Sequence, residues 1–188
     1  MSTTRIVLVR HGESEWNTVG RFQGHADPPL TASGRSQARE LAETLADIGI
    51  AAVYTSDLRR AAETAGVLGV HLGLEVRVDP DLREIDVGAW SGLTRDEVRE
   101  RYPDGWTRWL AGGIGHDGET SEQLTERVVA SVERIGAAHP EATVVVVSHG
   151  GSIRALRRHV AGNPGEVLSN CGTVAVELVD GVLAVRTD

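Results

Sequence analysis

Two apolar runs, Ile6-Val7-Leu8-Val9 and Val144-Val145-Val146-Val147, stand out from a chain otherwise mixed in polar and apolar positions. Each is four residues without a polar member and rich in β-branched side chains, which reads as a strand buried on both faces. Between them the apolar positions recur at helical spacing. Thr31 stands as an N-cap before Ala38, Leu41, Ala42, Leu45 and Ile48, predicting a helix of about four turns that ends near Gly49. Ile50 to Tyr54 reads as a second strand. Thr55-Ser56-Asp57 then offers capping side chains for a helix carrying Arg59, Arg60, Ala61, Ala62, Thr64, Ala65 and Leu68. A short strand from Leu74 to Val78 precedes an irregular segment, Asp79 to Leu93. A short helix is predicted from Thr94 to Arg101, and Trp106 to Leu110 adds another turn after Pro103. Thr120 with Gln123 makes a capping box for a long helix through about Ala138, stopped by Pro140. After the second apolar run, Ser152 to about Val160 is helical, and Thr173–Val179 with Val182–Val185 around Asp180-Gly181 reads as a hairpin. The alternation predicts a three-layer αβα sandwich with a mainly parallel sheet and an antiparallel edge.

Where each apolar run stops, the chain turns polar in the same way: Arg10-His11-Gly12-Glu13-Ser14 after the first, Ser148-His149-Gly150-Gly151-Ser152 after the second. Ligands of open α/β sheets bind at the carboxyl ends of the strands, so both histidines are placed where chemistry occurs. A single histidine in such a place is ordinarily a satisfied loop or core residue. Two in matched contexts, each followed by glycine, point to a shared site.

Composition narrows the partner. The 188 residues fit one domain, 1–188, long enough to bury about 70% of the unfolded surface. The formal net charge is −8 and the basic residues are scattered, which argues against nucleic acid or an anionic membrane as partner. All 19 basic residues are Arg, a bias of composition rather than of function. The single cysteine, Cys171, forms no internal disulfide and reads as a small buried residue. With no leader and no apolar run near membrane length, a soluble, cytoplasmic protein is expected, as a monomer or homodimer.

The residues around His11 resemble the Arg-His-Gly signature of the histidine phosphatase superfamily, also called the phosphoglycerate mutase-like family. The likeness continues in order through Asn17, Arg21, Gln23-Gly24, Asp27-Pro28-Pro29-Leu30-Thr31, Gly34, Gln37-Ala38, Ser56-Asp57-Leu58-Arg59-Arg60-Ala61, Glu84, Gly88, Trp90, Gly92-Leu93, Gly118-Glu119-Thr120 and Ser148-His149-Gly150. The resemblance implies the αβα fold and a phosphohistidine mechanism. His11 is then the nucleophile, its second ring nitrogen held by the Gly12 carbonyl, and Glu84 the general acid and base.

Elementary chemistry agrees with that assignment. A phosphate monoester is dianionic near neutral pH, so it needs cations to neutralise it and an uncharged nucleophile. Arg10 and Arg59 are the expected phosphate forks, with His149 as a third donor. Arg60 is expected as a surface or ion-pair residue. One carboxylic acid can protonate the leaving alkoxide and then activate water; Asp86 and Glu13 compete with Glu84 for this part. Ser14, Asn17, Gln23, Gly24 and Gly150 match positions lining the phosphate and substrate site, although Ser14 and Gly24 equally suit turn chemistry. No cofactor and no metal site are expected, since His25 with Asp27 is the only close pair of ligand type and reads as loop structure. The short segment Leu93 to Glu119, without Lys, favours a phosphatase of small-molecule phosphate esters over the alternatives of a cofactor-dependent phosphoglycerate mutase or a protein phosphohistidine phosphatase. Trp90, Tyr102, Trp106 and Trp109 either wall a pocket for the leaving group or close a small core.

Overall fold

The protein is described by a computed structural model over residues 2–185; Met1 and residues 186–188, which the single-domain expectation includes, lie outside the described residues. Six strands form one sheet: β1 (Thr3–Arg10), β2 (Ile50–Thr55), β3 (Val76–Val78), β4 (Thr143–Ser148), β5 (Thr173–Val179) and β6 (Val182–Val185), in the order β3-β2-β4-β1-β5-β6. β1 to β4 run parallel, while β5 pairs antiparallel with β1 and β6 antiparallel with β5. The expected αβα sandwich with an antiparallel edge is the observed one. Its hairpin has the predicted limits.

The apolar runs explain the layers. Because side chains alternate across a strand, Ile6 and Leu8 enter one core and Val7 and Val9 the other. Helices α2 (Ala32–Leu45) and α3 (Arg59–Leu72) cover the face of Val7 and Val9, packing Leu41, Ala42, Leu45, Ala61, Ala65 and Leu68 there. Helices α6 (Ser121–Ala137) and α7 (Gly150–Ala161) cover the other, with Leu124, Val128, Val132 and Leu156 against Ile6, Leu8, Val144 and Val146. All four valines of β4 are fully buried, and each contributes about 1.5–3 kcal/mol by leaving water.

Three local features differ from expectation. A one-turn helix, α1 (Glu15–Thr18), for which the apolar pattern gives no sign, follows the first polar cluster and is closed by a Ser14–Asn17 capping box. Helix α3 starts at Arg59 behind Leu58, which makes no side-chain cap; the Asp27 carboxylate, remote in sequence, accepts from the Arg59 amide instead. The third strand shortens to Val76–Val78. Helices α4 (Arg95–Arg101) and α5 (Pro103–Leu110) form a small third cluster outside the sandwich. Trp90 is its centre, 1% exposed, with Phe22, Trp106 and Trp109 in edge or tilted contact. The three tryptophans therefore close a core, whereas Tyr102 is exposed.

Candidate active site

Parallel pairing sets Arg10 opposite Ser148, so the residues that follow, His11 and His149, leave the sheet side by side. Their ring centroids are 5.2 Å apart, and both are buried. The Nδ1 of His11 lies 2.7 Å from the Gly12 carbonyl. A carbonyl oxygen only accepts, so Nδ1 carries the hydrogen and Nε2 keeps its lone pair. Burial, helped by the Arg60 and Arg10 charges, pushes His11 down to about 3 against the donated bond to Gly12. The ring is neutral at physiological pH. His149 is also held well below the usual histidine range, by burial first and then by Arg60. Its Nε2 is 2.7 Å from the Ser56 hydroxyl, while its buried Nδ1 has no partner.

Two guanidinium groups face this pair. Arg10, at the last position of β1, donates through Nη1 to the Leu168 carbonyl at 2.5 Å, and Arg60 donates to the carbonyls of Gly24 and Ala26 at 2.9 and 2.8 Å. The Nε of each is buried without a partner. Arg60 is 1% exposed, and burial, opposed by Glu84 and Asp27, brings it down to about 10. The expectation for Arg59 is corrected here. Arg59 points to solvent and pairs with Glu63 at i+4, the ion-pair part expected of Arg60. Successive helix positions differ by about 100°, so one of two adjacent arginines faces inward. The sequence held the signal: Arg60 is in phase with Thr64 and Leu68, both fully buried.

Glu84 arrives from the irregular segment, between two single 3-10 turns at Pro80–Leu82 and Gly88–Trp90. Its carboxylate accepts from the amides of Gly151 at 2.9 Å and Ser152 at 3.1 Å, at the N-terminus of α7, and from Ile85 at 2.9 Å. A Cβ on Gly151 would lie 2.3 Å from Oε1. The Glu84 charge acts on both Arg10 and Arg60, which places it in the same cluster. Of the other two carboxylates, Asp86 accepts from the Gly88 amide and Glu13 from the Thr31 hydroxyl.

The remaining expected residues separate into two kinds. Asn17 Oδ1 accepts from the Ser14 amide, the Ser14 hydroxyl and the Asn170 side chain, so its amide nitrogen is turned away from these partners. Ser14, fully buried, uses its hydroxyl on Asn17 and Gln23 and serves as a cap. Gly24 has φ +49°, and a Cβ there would meet Val87 at 2.7 Å, so its conformation and packing both require glycine. Gly150 opens α7 beside Arg10. Gly12 allows close packing on α2, where a Cβ would lie 2.5 Å from the Gly34 carbonyl. One segment was not foreseen, Leu168–Gly172. The Asn170 amide donates to the His11 carbonyl at 3.1 Å, and the Cys171 and Gly172 backbones bond to Arg10. Burial pushes the half-buried Cys171 thiol up to about 11, leaving it inert.

Among the described residues no group of three or more His, Cys, Asp or Glu side chains is placed to hold a metal ion. His25 instead lies 2.9 Å, through Nε2, from the Glu84 carbonyl. A hollow of ≈ 760 Å³ lies beyond the acid segment, lined by residues such as Asp86, Asp117, Glu119 and Arg127 but by neither site histidine. No helix is long and apolar enough to cross a membrane among the described residues.

The model of the histidine phosphatase superfamily, branch 1, matches residues 6–186, a span that contains every residue of this cluster. The chain belongs to that superfamily. Among its relatives in the superfamily is glucosyl-3-phosphoglycerate phosphatase of Mycobacterium tuberculosis, 40% identical over 166 residues that cover 83% of this chain and 74% of the relative. Phosphoserine phosphatase 1 of Hydrogenobacter thermophilus is 39% identical over 155 residues, covering 81% and 74%. The solved structure of Bacillus stearothermophilus YhfR superposes with a TM-score of 0.90 at 30% identity, covering 98% of this chain and 96% of that one. Two of these relatives are thus named as phosphatases, one of phosphoserine and one of glucosyl-3-phosphoglycerate.

Proposed function

We propose that the protein is a metal-independent phosphatase of small-molecule phosphate monoesters that works through a phosphohistidine on His11. The observation that carries the reading is the protonation pattern of His11: Nδ1 committed to the Gly12 carbonyl, Nε2 free, and the ring neutral at pH 7. A dianionic ester repels an anionic nucleophile but not this one.

The phosphoryl group is received by Arg10 and Arg60, whose unpaired Nε–H groups and forked geometry suit its oxygens. With the Ser56 hydroxyl donating to Nε2, Nδ1 of His149 carries its hydrogen and serves as a further donor. Asn17, Gln23 and the Gly150 amide complete the ring of donors. Nε2 of His11 attacks phosphorus in line while the ester P–O bond breaks, and Glu84 gives its proton to the departing alkoxide. Glu84, now a carboxylate, takes a proton from water as the water oxygen attacks the phosphohistidine; the P–N bond breaks, and inorganic phosphate leaves with His11 restored. Glu84 holds its place through the α7 amides.

The test is phosphate release from p-nitrophenyl phosphate in excess EDTA, comparing the wild type with His11→Ala. Turnover in EDTA that disappears in the variant supports the reading. Turnover abolished by EDTA, or retained by the variant, contradicts it.

A further inference from the structure

Glu84 sits on a stretch with neither strand nor long helix to satisfy its backbone, so the partners of its carbonyls must come from elsewhere. They come from side chains. Ser148 donates to the Leu82 carbonyl and Ser152 to that of Arg83, both at 2.8 Å. Apart from His25, whose Nε2 also lies 2.9 Å from the Glu84 carbonyl, the others converge on one residue of α6. Arg127 donates through Nη1 to the carbonyls of Asp81 at 2.8 Å and Arg83 at 2.7 Å, and through Nη2 to that of Glu84 at 2.8 Å. Its other edge forms a two-pronged pair with Glu119, Nε to Oε1 at 2.6 Å and Nη2 to Oε2 at 2.7 Å.

Glu119 is itself fixed to the far end of the same stretch. Its carboxylate accepts from the Asp86 amide at 3.3 Å, and its amide donates to the Asp86 carbonyl at 2.9 Å. The approach is tight: a Cβ on Gly118 would lie 2.2 Å from the Asp86 carbonyl oxygen. The Arg127–Glu119 pair therefore grips the chain on both sides of Glu84, at Asp81 to Glu84 and at Asp86. A flat fork with five N–H groups can serve five oxygens at once, which a lysine ammonium cannot.

We infer that Arg127, together with Glu119, is a positioning residue for proton transfer: it fixes the backbone from which the Glu84 carboxyl reaches the leaving oxygen. This rests on the reading of Glu84 as general acid. The ammonium of Arg127→Lys keeps the charge but not the five contacts, so the carboxyl loses its fixed height above the phosphoryl site. The nucleophile and its cations stand on other elements and keep their arrangement.

The measurement is kcat/KM, which reports the steps through phosphoryl transfer to His11, for two substrates. Glycerol 2-phosphate needs its leaving oxygen protonated; p-nitrophenyl phosphate does not. Arg127→Lys is expected to lower kcat/KM for glycerol 2-phosphate about tenfold to a hundredfold and for p-nitrophenyl phosphate by no more than about threefold. Glu84→Gln, the control, should show the same selectivity more strongly. A role confined to stability lowers both substrates alike. Selective loss in Glu84→Gln with equal or no loss in Arg127→Lys overturns the inference and leaves Glu84 as the acid. No selectivity in Glu84→Gln overturns both. Circular dichroism checks folding; should Arg127→Lys fail to fold, Glu119→Gln is judged by the same pair of substrates, with selective loss supporting the inference and uniform loss overturning it.

Discussion

The two halves of the site are built on different principles. The half with the proposed nucleophile stands on regular structure: His11 and His149 follow paired central strands, and Arg60 projects from the first turn of a helix packed on the sheet. The half with the proposed acid, Glu84, is irregular chain between β3 and α4, held by side chains from α6, α7 and β4. A position fixed by backbone pairing is lost only with the fold. A position fixed by side-chain hydrogen bonds can be loosened one residue at a time, so substitutions in the acid half should change proton transfer while leaving the fold intact.

Removing the nucleophile should have the largest effect. His11→Ala is expected to lower turnover by about 10⁴-fold or more, with an unchanged circular dichroism spectrum. Arg60→Ala should reduce kcat/KM by about 10²- to 10³-fold, the scale of a lost charge-stabilising donor, whereas Arg59→Ala should stay within about threefold. Comparable losses in the two arginine variants would break the division drawn between them.

The nucleophile half should also govern acid stability. His11 titrates near 6.5 when unfolded and near 3 when folded, and His149 shifts in the same direction. Between those values the unfolded chain binds protons that the folded chain refuses. Stability is therefore full above pH 6.5 and is lost as the pH falls towards 3, by about 1.4 kcal/mol per pH unit for each histidine. Urea midpoints from pH 7 to 4.5 should show this slope, and His11→Gln should flatten it by about one histidine's share. An unchanged slope would show that His11 is not buried as a neutral ring.

The smallest effect belongs to the acid half. In Gly151→Ala the new methyl group displaces the Glu84 carboxylate, and kcat/KM for an alkyl phosphate is expected to fall about tenfold while p-nitrophenyl phosphate is nearly unaffected. Uniform loss would mean that the α7 amides do not orient the acid.

The same contrast governed what could be read from the sequence. Strand ends carry a local signal, an apolar run followed by Arg-His-Gly or Ser-His-Gly, so both histidines, the sheet and the helices covering it were legible. Glu84 was legible through its family position and its apolar neighbours, but not through the contacts that hold it, because most of those come from 33 or more residues away, as in the bonds of Glu119 to Asp86 and Ser152 to Arg83. The Arg59–Arg60 choice was legible in helix phase, since Arg60 shares a face with Thr64 and Leu68, whereas the Asp27 carboxylate that meets the start of α3 from a remote loop was not. Leu168–Gly172 gave no signal: a loop has no periodicity, and its role arises only when β5 is laid antiparallel beside β1.

The central claim is that His11 itself carries the phosphoryl group. The most direct measurement mixes enzyme with substrate in EDTA, quenches in alkali within one turnover, and maps the adduct by mass spectrometry and phosphorus NMR. The account predicts a phosphoryl group on Nε2 of His11, absent from His11→Ala. An adduct on Nδ1 or on another residue, or turnover that proceeds with no covalent adduct at any time point, would contradict it.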